Sequence, residues 1–371
     1  MLNSIRLCPI DELVHEFRER NKIRVLQGWL EARANEGNQT PSLHNALAII
    51  YIDINKDPQN FLINNQFYDS KVVGKYCEER NADLAFIAYK RAWGSCDQEL
   101  VNVTNKNYLY RVQAKYLVER QSEELWAHVL SEENEHREPV IEQVVQIALP
   151  ESKNPDEVSC AVKAFMDADM PHQLIELLEK IVLHNSDFSE NKNLQNLLIL
   201  TAIKADRTKV MDYVNRLNNF DGDQLAEIAL EDKYQLYEEA LAIYKKVGDH
   251  EKATQVLISH IKNVDTALEY AGKINNPQVW SMIGSAQLDE GKVVEGIDAF
   301  CRANDASQYM RVITAAEGQD AYSDLVKYLR MARETQKEAM IDGELIFALA
   351  KINELNDLED FINAANQANV Q

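Results

Sequence analysis

Glycine and proline are scarce: 12 and 8 residues among 371, against average usage of roughly 7% and 5%. An all-β fold needs many tight turns, so their scarcity disfavours one and favours helices. Paired cysteines are missing too. Cys8, Cys77, Cys96, Cys160 and Cys301 include no C-x-x-C and read as reduced core residues of a cytosolic protein. No apolar run nears the ~18 residues of a membrane span; Ala46–Ile52 and Leu197–Leu200 are among the longest. The opening MLNSIRLCPIDEL has no charged segment leading into a long apolar one, so no signal peptide is expected. Its helical pattern starts abruptly, as if cut from a longer polypeptide. Positive charge is in deficit, with 39 Lys and Arg against 60 Asp and Glu and a net charge of −21. That balance argues against nucleic acid and against direct binding to an anionic membrane, which both reward cations.

What is abundant is helical periodicity. Leu174, Leu177, Leu178, Ile181 and Val182 fall at i, i+3, i+4, i+7 and i+8, one apolar face of a helix. After a polar break at 184–193, Leu194–Ile203 is apolar on nearly all sides, as in a helix packed between two layers. Asp206 is placed to cap the next helix, whose face is Val210, Tyr213, Val214 and Leu217. The same reading expects helices along the whole chain, from 10–20 to 356–366, with none placed between 55 and 69. No segment alternates like a half-buried strand, and no Gly/Ser- or Pro-rich linker interrupts the series. Thr40-Pro41, Asp57-Pro58, Asn154-Pro155 and Asn276-Pro277 each put a capping residue before a proline at the first helical position. Glu157 adds an acid at N3, close to a capping box.

The pattern repeats. Leu84-Ala-Phe-Ile-Ala-Tyr89-Lys-Arg is similar to Glu239-Ala-Leu-Ala-Ile-Tyr244-Lys-Lys, 155 positions later. Tyr116 and Trp126 match Tyr270 and Trp280 at a spacing of 154, and Glu295–Phe300 is a shorter echo of 239–244. A long repeat of several helical hairpins is the signature of an α-solenoid, so the expected fold class is all-α. If some twelve hairpins each advance by one helix spacing of roughly 8–10 Å, the array is a rod on the order of 100 Å long.

Motifs for chemistry are absent. There is no H-E-x-x-H, P-loop, G-x-G-x-x-G after a strand or G-x-S-x-G; catalytic, cofactor-binding and metal residues are assigned as none. His128 and His136 with Glu132 between them make a weak ligand row, and a solvated acidic helix end explains them as well. Trp29, Trp126 and Trp280 read as core anchors, with Trp93 the exposed exception at a break; Tyr108, Tyr110 and Tyr116 are read as packing inward. One surface feature departs from the acidic background. Lys327, Arg330, Arg333 and Lys337 recur at i, i+3, i+6 and i+10. They read either as a solvated face with Glu334 and Glu338 as local partners, or as a dock for an acidic helical segment of a partner.

Several long runs carry a family resemblance. The segments at 44–91, 116–130, 165–190, 193–217 and 344–362 resemble clathrin heavy chain, in one register from about Arg20 to the end. Ala92–Ser95 reads as an insertion, and 221–223 and 247–251 also depart from the family. The resemblance implies a right-handed, TPR-like α-solenoid that forms part of the triskelion leg, around the knee. It implies the end of one repeat (1–37), whole repeats at 38–182 and 183–330, and the start of another (331–371). It further implies a structural coat component without enzymatic activity. Its partners would be other heavy chains through leg–leg packing and, mostly beyond this segment, the clathrin light chain. The membrane would be reached only through adaptors bound elsewhere, on the cytosolic face of coated pits and vesicles. The basic stripe 327–337 would lie near the start of light-chain territory. The alternative is another α-solenoid trafficking scaffold, a tethering or coatomer-like subunit.

Overall fold

Apolar residues spaced for one face of a helix bury that face. Leu174, Leu177, Leu178, Ile181 and Val182 are all buried in the helix Pro171–Leu183. Val210, Tyr213 and Val214 are buried in Val210–Arg216, with Leu217 buried just beyond it. The computed structural model describes residues 9–184 and 187–364, and Cys8 lies outside them. The described residues hold 24 α-helices, two 3-10 turns and two π-helical turns, with no strand among them.

The chain divides into two compact units, Met1–Glu190 and Asn191–Gln371. Within each, helices pack on those next or nearly next in sequence, and substantial contacts join only such neighbours. Helix Val293–Ala303 shows how the stack propagates. Val293, Ile297 and Phe300 belong to one core cluster, which runs on to Leu349. Ala299 and Ala303 belong to the preceding cluster with Trp280 and Ile283. One helix thus has two apolar sides and joins two successive cores, the requirement of a solenoid interior. Each large side chain so buried contributes about 1.5–3 kcal/mol.

Prolines begin helices at Pro41, Pro58, Pro155, Pro171 and Pro277. Asn154 and Asn276 cap as expected, accepting from the Asp156 and Gln278 amides. Thr40 and Asp57 do not. Asp57 has φ 43°, outside the extended conformation of a capping residue. The capping box does not close either, because the Glu157 carboxylate accepts from the Ser152 hydroxyl (2.5 Å). Asp206 precedes a 3-10 turn, Arg207–Lys209, and takes the Thr208 hydroxyl instead of capping it. The helix start marked by Asp57-Pro58 is real: Pro58–Asn64 fills the interval after Ile54 in which periodicity alone placed no helix.

Two positions matched by the 155-residue spacing both carry a last-turn cation, with different backbone acceptors. In the hairpin of Ser70–Cys77 with Ala82–Arg91, Arg91 donates to the Tyr68 carbonyl and lies 3.9 Å from the Tyr68 ring centroid. In the hairpin of Gly222–Leu230 with Tyr237–Val247, Lys246 stands 155 positions after Arg91. It donates to the Val214 and Asn215 carbonyls at 2.7 and 2.9 Å. At both positions the last-turn cation ties its hairpin to backbone that precedes it.

Candidate functional site

The stripe helix, Tyr322–Thr335, buries Leu325, Val326, Tyr328, Leu329 and Ala332. Its opposite side carries the cations. Lys327, which is exposed, pairs with the half-buried Asp324 of its own helix at 2.7 Å. Arg330 reaches forward to Asp357 in the helix Leu355–Asn363. Arg333 donates from Nε to Asp342 Oδ1 at 3.1 Å, in the helix Ala339–Lys351. Its guanidinium also lies 4.6 Å from the Phe361 ring centroid. Lys337 is exposed in the short connection after the helix ends at Thr335.

These four residues therefore do different things. Lys327, Arg330 and Arg333 share one helix, whereas Lys337 is off it. Arg330 and Arg333 tie the stripe helix to the two helices that follow, using Asp357 and Asp342 in place of the expected Glu334 and Glu338. Asp342 is 6% exposed, so the Arg333 pair is far less screened than an ordinary surface pair, worth about 0–1 kcal/mol. Sequence reasoning missed Asp342, Asp357 and Phe361 as partners. They come from neighbouring helices, and i, i+4 spacing cannot point to residues across a hairpin. Lys327 is raised by its hydrogen bond to Asp324 and remains the charged, outward-facing group.

The other candidates from the sequence fall into place around hairpins. Trp126 and Trp280 are core residues, Trp29 is half-buried with Arg33 over its ring (5.6 Å), and Trp93 is 51% exposed. Tyr116 packs inward, but Tyr108 is 74% exposed, contrary to expectation. It occupies a left-handed position (φ 58°) between Asp97–Lys106 and Tyr110–Arg120, so helical spacing does not govern it. His136 Nδ1 lies 2.9 Å from the Tyr110 hydroxyl. Among the described residues no group of three or more His, Cys, Asp or Glu side chains could hold a metal ion. None of their helices is long and apolar enough to cross a membrane. The four described cysteines are free, and burial raises their thiols, Cys77 to about 12.

A family described as "Region in Clathrin and VPS" matches residues 2–141, 149–295 and 301–371. The chain belongs to the clathrin heavy chain family. It is 56% identical over 372 residues to a clathrin heavy chain of Dictyostelium discoideum, covering 100% of this chain and 22% of that protein. It is 55% identical, with the same coverages, to clathrin heavy chain 2 of Oryza sativa subsp. japonica. The chain thus spans about a fifth of the length of the clathrin heavy chains it matches. Among solved structures, the yeast Tom70 crystal structure is 12% identical with a TM-score of 0.23, covering 97% of this chain and 77% of that one. At that level the likeness carries no argument.

Proposed function

We propose that this chain is a leg segment of a clathrin coat, packing side by side with legs of other heavy chains in the lattice around cytoplasmic vesicles. The observation that carries the reading is the extent of the match: 56% identity over 100% of the chain. The architecture suits the task. Hairpins that contact mainly their neighbours distribute bending over many interfaces. Their outer surfaces carry exposed ion pairs such as Lys163–Glu123 and Arg302–Asp298, each of low individual strength. Many weak lateral contacts make assembly both firm and reversible through multivalency. The role is mechanical rather than enzymatic, and the membrane is approached only through adaptors held elsewhere.

The proposed repeat divisions are 38–182 and 183–330, flanked by 1–37 and 331–371. The paired positions Arg91 and Lys246 support a period near 155, as do Trp126 and Trp280. The stripe of Lys327, Arg330, Arg333 and Lys337 is proposed to meet an acidic segment of the light chain. Lys327 and Lys337 would supply the exposed charge, and Arg330 and Arg333 would keep the helix in place.

A chimera tests both readings. The Dictyostelium heavy chain, with this chain replacing its matching segment, should assemble into cages in vitro and bind light chain. A folded, trimeric chimera that forms no cages would overturn the coat reading. Lys327→Glu with Lys337→Glu should weaken light-chain binding while cages persist. Unchanged binding would remove the light-chain assignment alone.

A further inference from the structure

Three arginines from three parts of the chain converge on one carboxylate. Asp53 lies near the end of Pro41–Ile54, on which Ile10–Glu19, Ile23–Leu26 and Ser70–Cys77 all pack. The Tyr76 hydroxyl donates to Asp53 Oδ1 at 2.6 Å and fixes the centre of the group. The Arg80 guanidinium lies 3.8 Å from the Tyr76 ring centroid and donates to the Tyr76 carbonyl at 3.0 Å. Arg24 donates to the Asp53 carbonyl at 3.2 Å. Arg18 lies 6.0 Å from the same ring centroid and, among the described residues, forms no ion pair.

Asp53 does not saturate these cations. Arg24 Nη2 stands 3.8 Å from Asp53 Oδ2, and Arg80 Nε stands 4.0 Å from Oδ1; both exceed hydrogen-bond reach. A guanidinium has five N–H donors, and Arg24 and Arg80 each spend one on a backbone carbonyl. All three arginines are exposed. Three positive charges against one negative leave a local +2, in a chain whose net charge is −21. The exposed neighbours cancel. Glu19 and Glu79 balance Lys22 and Lys75, none of them in an ion pair, and Glu16 pairs with Arg20 at 2.8 Å. Glu78 is half-buried and accepts from the Tyr89 hydroxyl.

We propose that this constellation binds a phosphorylated serine or threonine in a flexible segment of a partner protein. A phosphomonoester carries about −1.5 to −2 near neutral pH, with three strong acceptor oxygens. It matches both the residual charge and the open donors, whereas one carboxylate matches half the charge. Arg24 and Arg80 are already held by backbone carbonyls, so binding has little left to order. Arg18, with its donors free, completes the grip. Val25, 73% exposed beside Arg24, and the exposed Ile54 beside Asp53 offer apolar contacts that suit a peptide better than a free ion. The acidity of the chain opposes a broad anionic surface such as a membrane, and tolerates one phosphate on a flexible segment. The inference stands apart from the coat reading, because it needs only residues of the first unit.

The test uses the full chain and a fluorescein-labelled peptide, phosphoserine flanked by alanine and valine, read by fluorescence anisotropy beside its serine and glutamate counterparts. The phosphopeptide should bind saturably, and more weakly as salt is raised. The glutamate peptide should bind about tenfold more weakly, and the serine peptide not at all. Arg18→Gln, whose position is exposed, should weaken phosphopeptide binding by about tenfold, with an unchanged circular dichroism spectrum. Arg24→Gln should do the same; should it fail to fold, Arg18→Gln decides. Arg302→Gln removes an exposed arginine of the other unit, paired with Asp298, and should leave binding unchanged. No saturable binding by the wild-type chain would overturn the proposal. So would equal affinity for the glutamate peptide, undiminished binding by Arg18→Gln, or an equal loss in Arg302→Gln. Capture of the chain by phosphatidylcholine vesicles containing phosphatidic acid, without phosphopeptide binding, would assign the site to a lipid headgroup and overturn it too.

Discussion

Glu31 is held by three donors at once: Lys56 Nζ at 2.8 Å, Gln27 Nε2 at 2.9 Å and the Tyr51 hydroxyl at 2.8 Å. These hydrogen bonds, led by Lys56, lower its carboxyl from 4.5 to about 2. A folded-state value below the unfolded one means stability that is present above pH 4.5 and lost as pH falls towards 2. Glu31→Gln should therefore cost about 1 kcal/mol at neutral pH, after allowance for the exposed Lys56 partner. It should also flatten the acid limb of a denaturation series between those two pH values. An unchanged acid limb would show that the cluster adds nothing. Little of this was legible in the sequence, because Tyr51 and Lys56 reach Glu31 from another helix and the turn after it. Tyr108 fails for a related reason: periodicity assigns faces only where the backbone stays helical. Trp93 was readable because the break before Cys96 was readable.

Hairpins, not single helices, are the packing elements, and close approach within one depends on small residues. A Cβ added to Gly74 would lie 2.3 Å from the Tyr89 ring, which is buried and hydrogen-bonded to Glu78. Gly74→Ala should destabilise by about 1–3 kcal/mol through overpacking. Gly28→Ala, with nothing within 4 Å, should instead stabilise by about 0.5–1 kcal/mol through helix propensity. Thermal melts of the two variants moving in the same direction would count against this account of the hairpin. At this scale the sequence was informative about faces and poor about ends. The faces at 174–182 and 210–217 were readable because burial enforces them. The π-helical turns Val144–Ala148 and Leu257–Ile261 continue an unbroken apolar pattern, so no residue announces them. The basic stripe was visible as a spacing, but its division into Arg330 and Arg333 as ties between helices and Lys327 and Lys337 as exposed heads needed the following helices.

Along the molecule, the repeat was legible as matched residues 154 and 155 positions apart, and each helix packs on its near neighbours in sequence. Its mechanical consequence is that damage stays local. Leu198 is fully buried in Lys192–Ala205, which packs against the nearby helices Val210–Arg216 and Gly222–Leu230. Leu198→Ala should cost about 2–5 kcal/mol, felt where that helix has contacts. The decisive measurement is native-state hydrogen exchange on the Leu198→Ala chain, followed helix by helix. Exchange should accelerate in Lys192–Ala205 and the two helices packed on it, while Tyr322–Thr335 and Ala339–Lys351 in the same unit keep their protection. Uniform loss of protection across that unit would contradict a stack of neighbour-bound hairpins and point to one shared core.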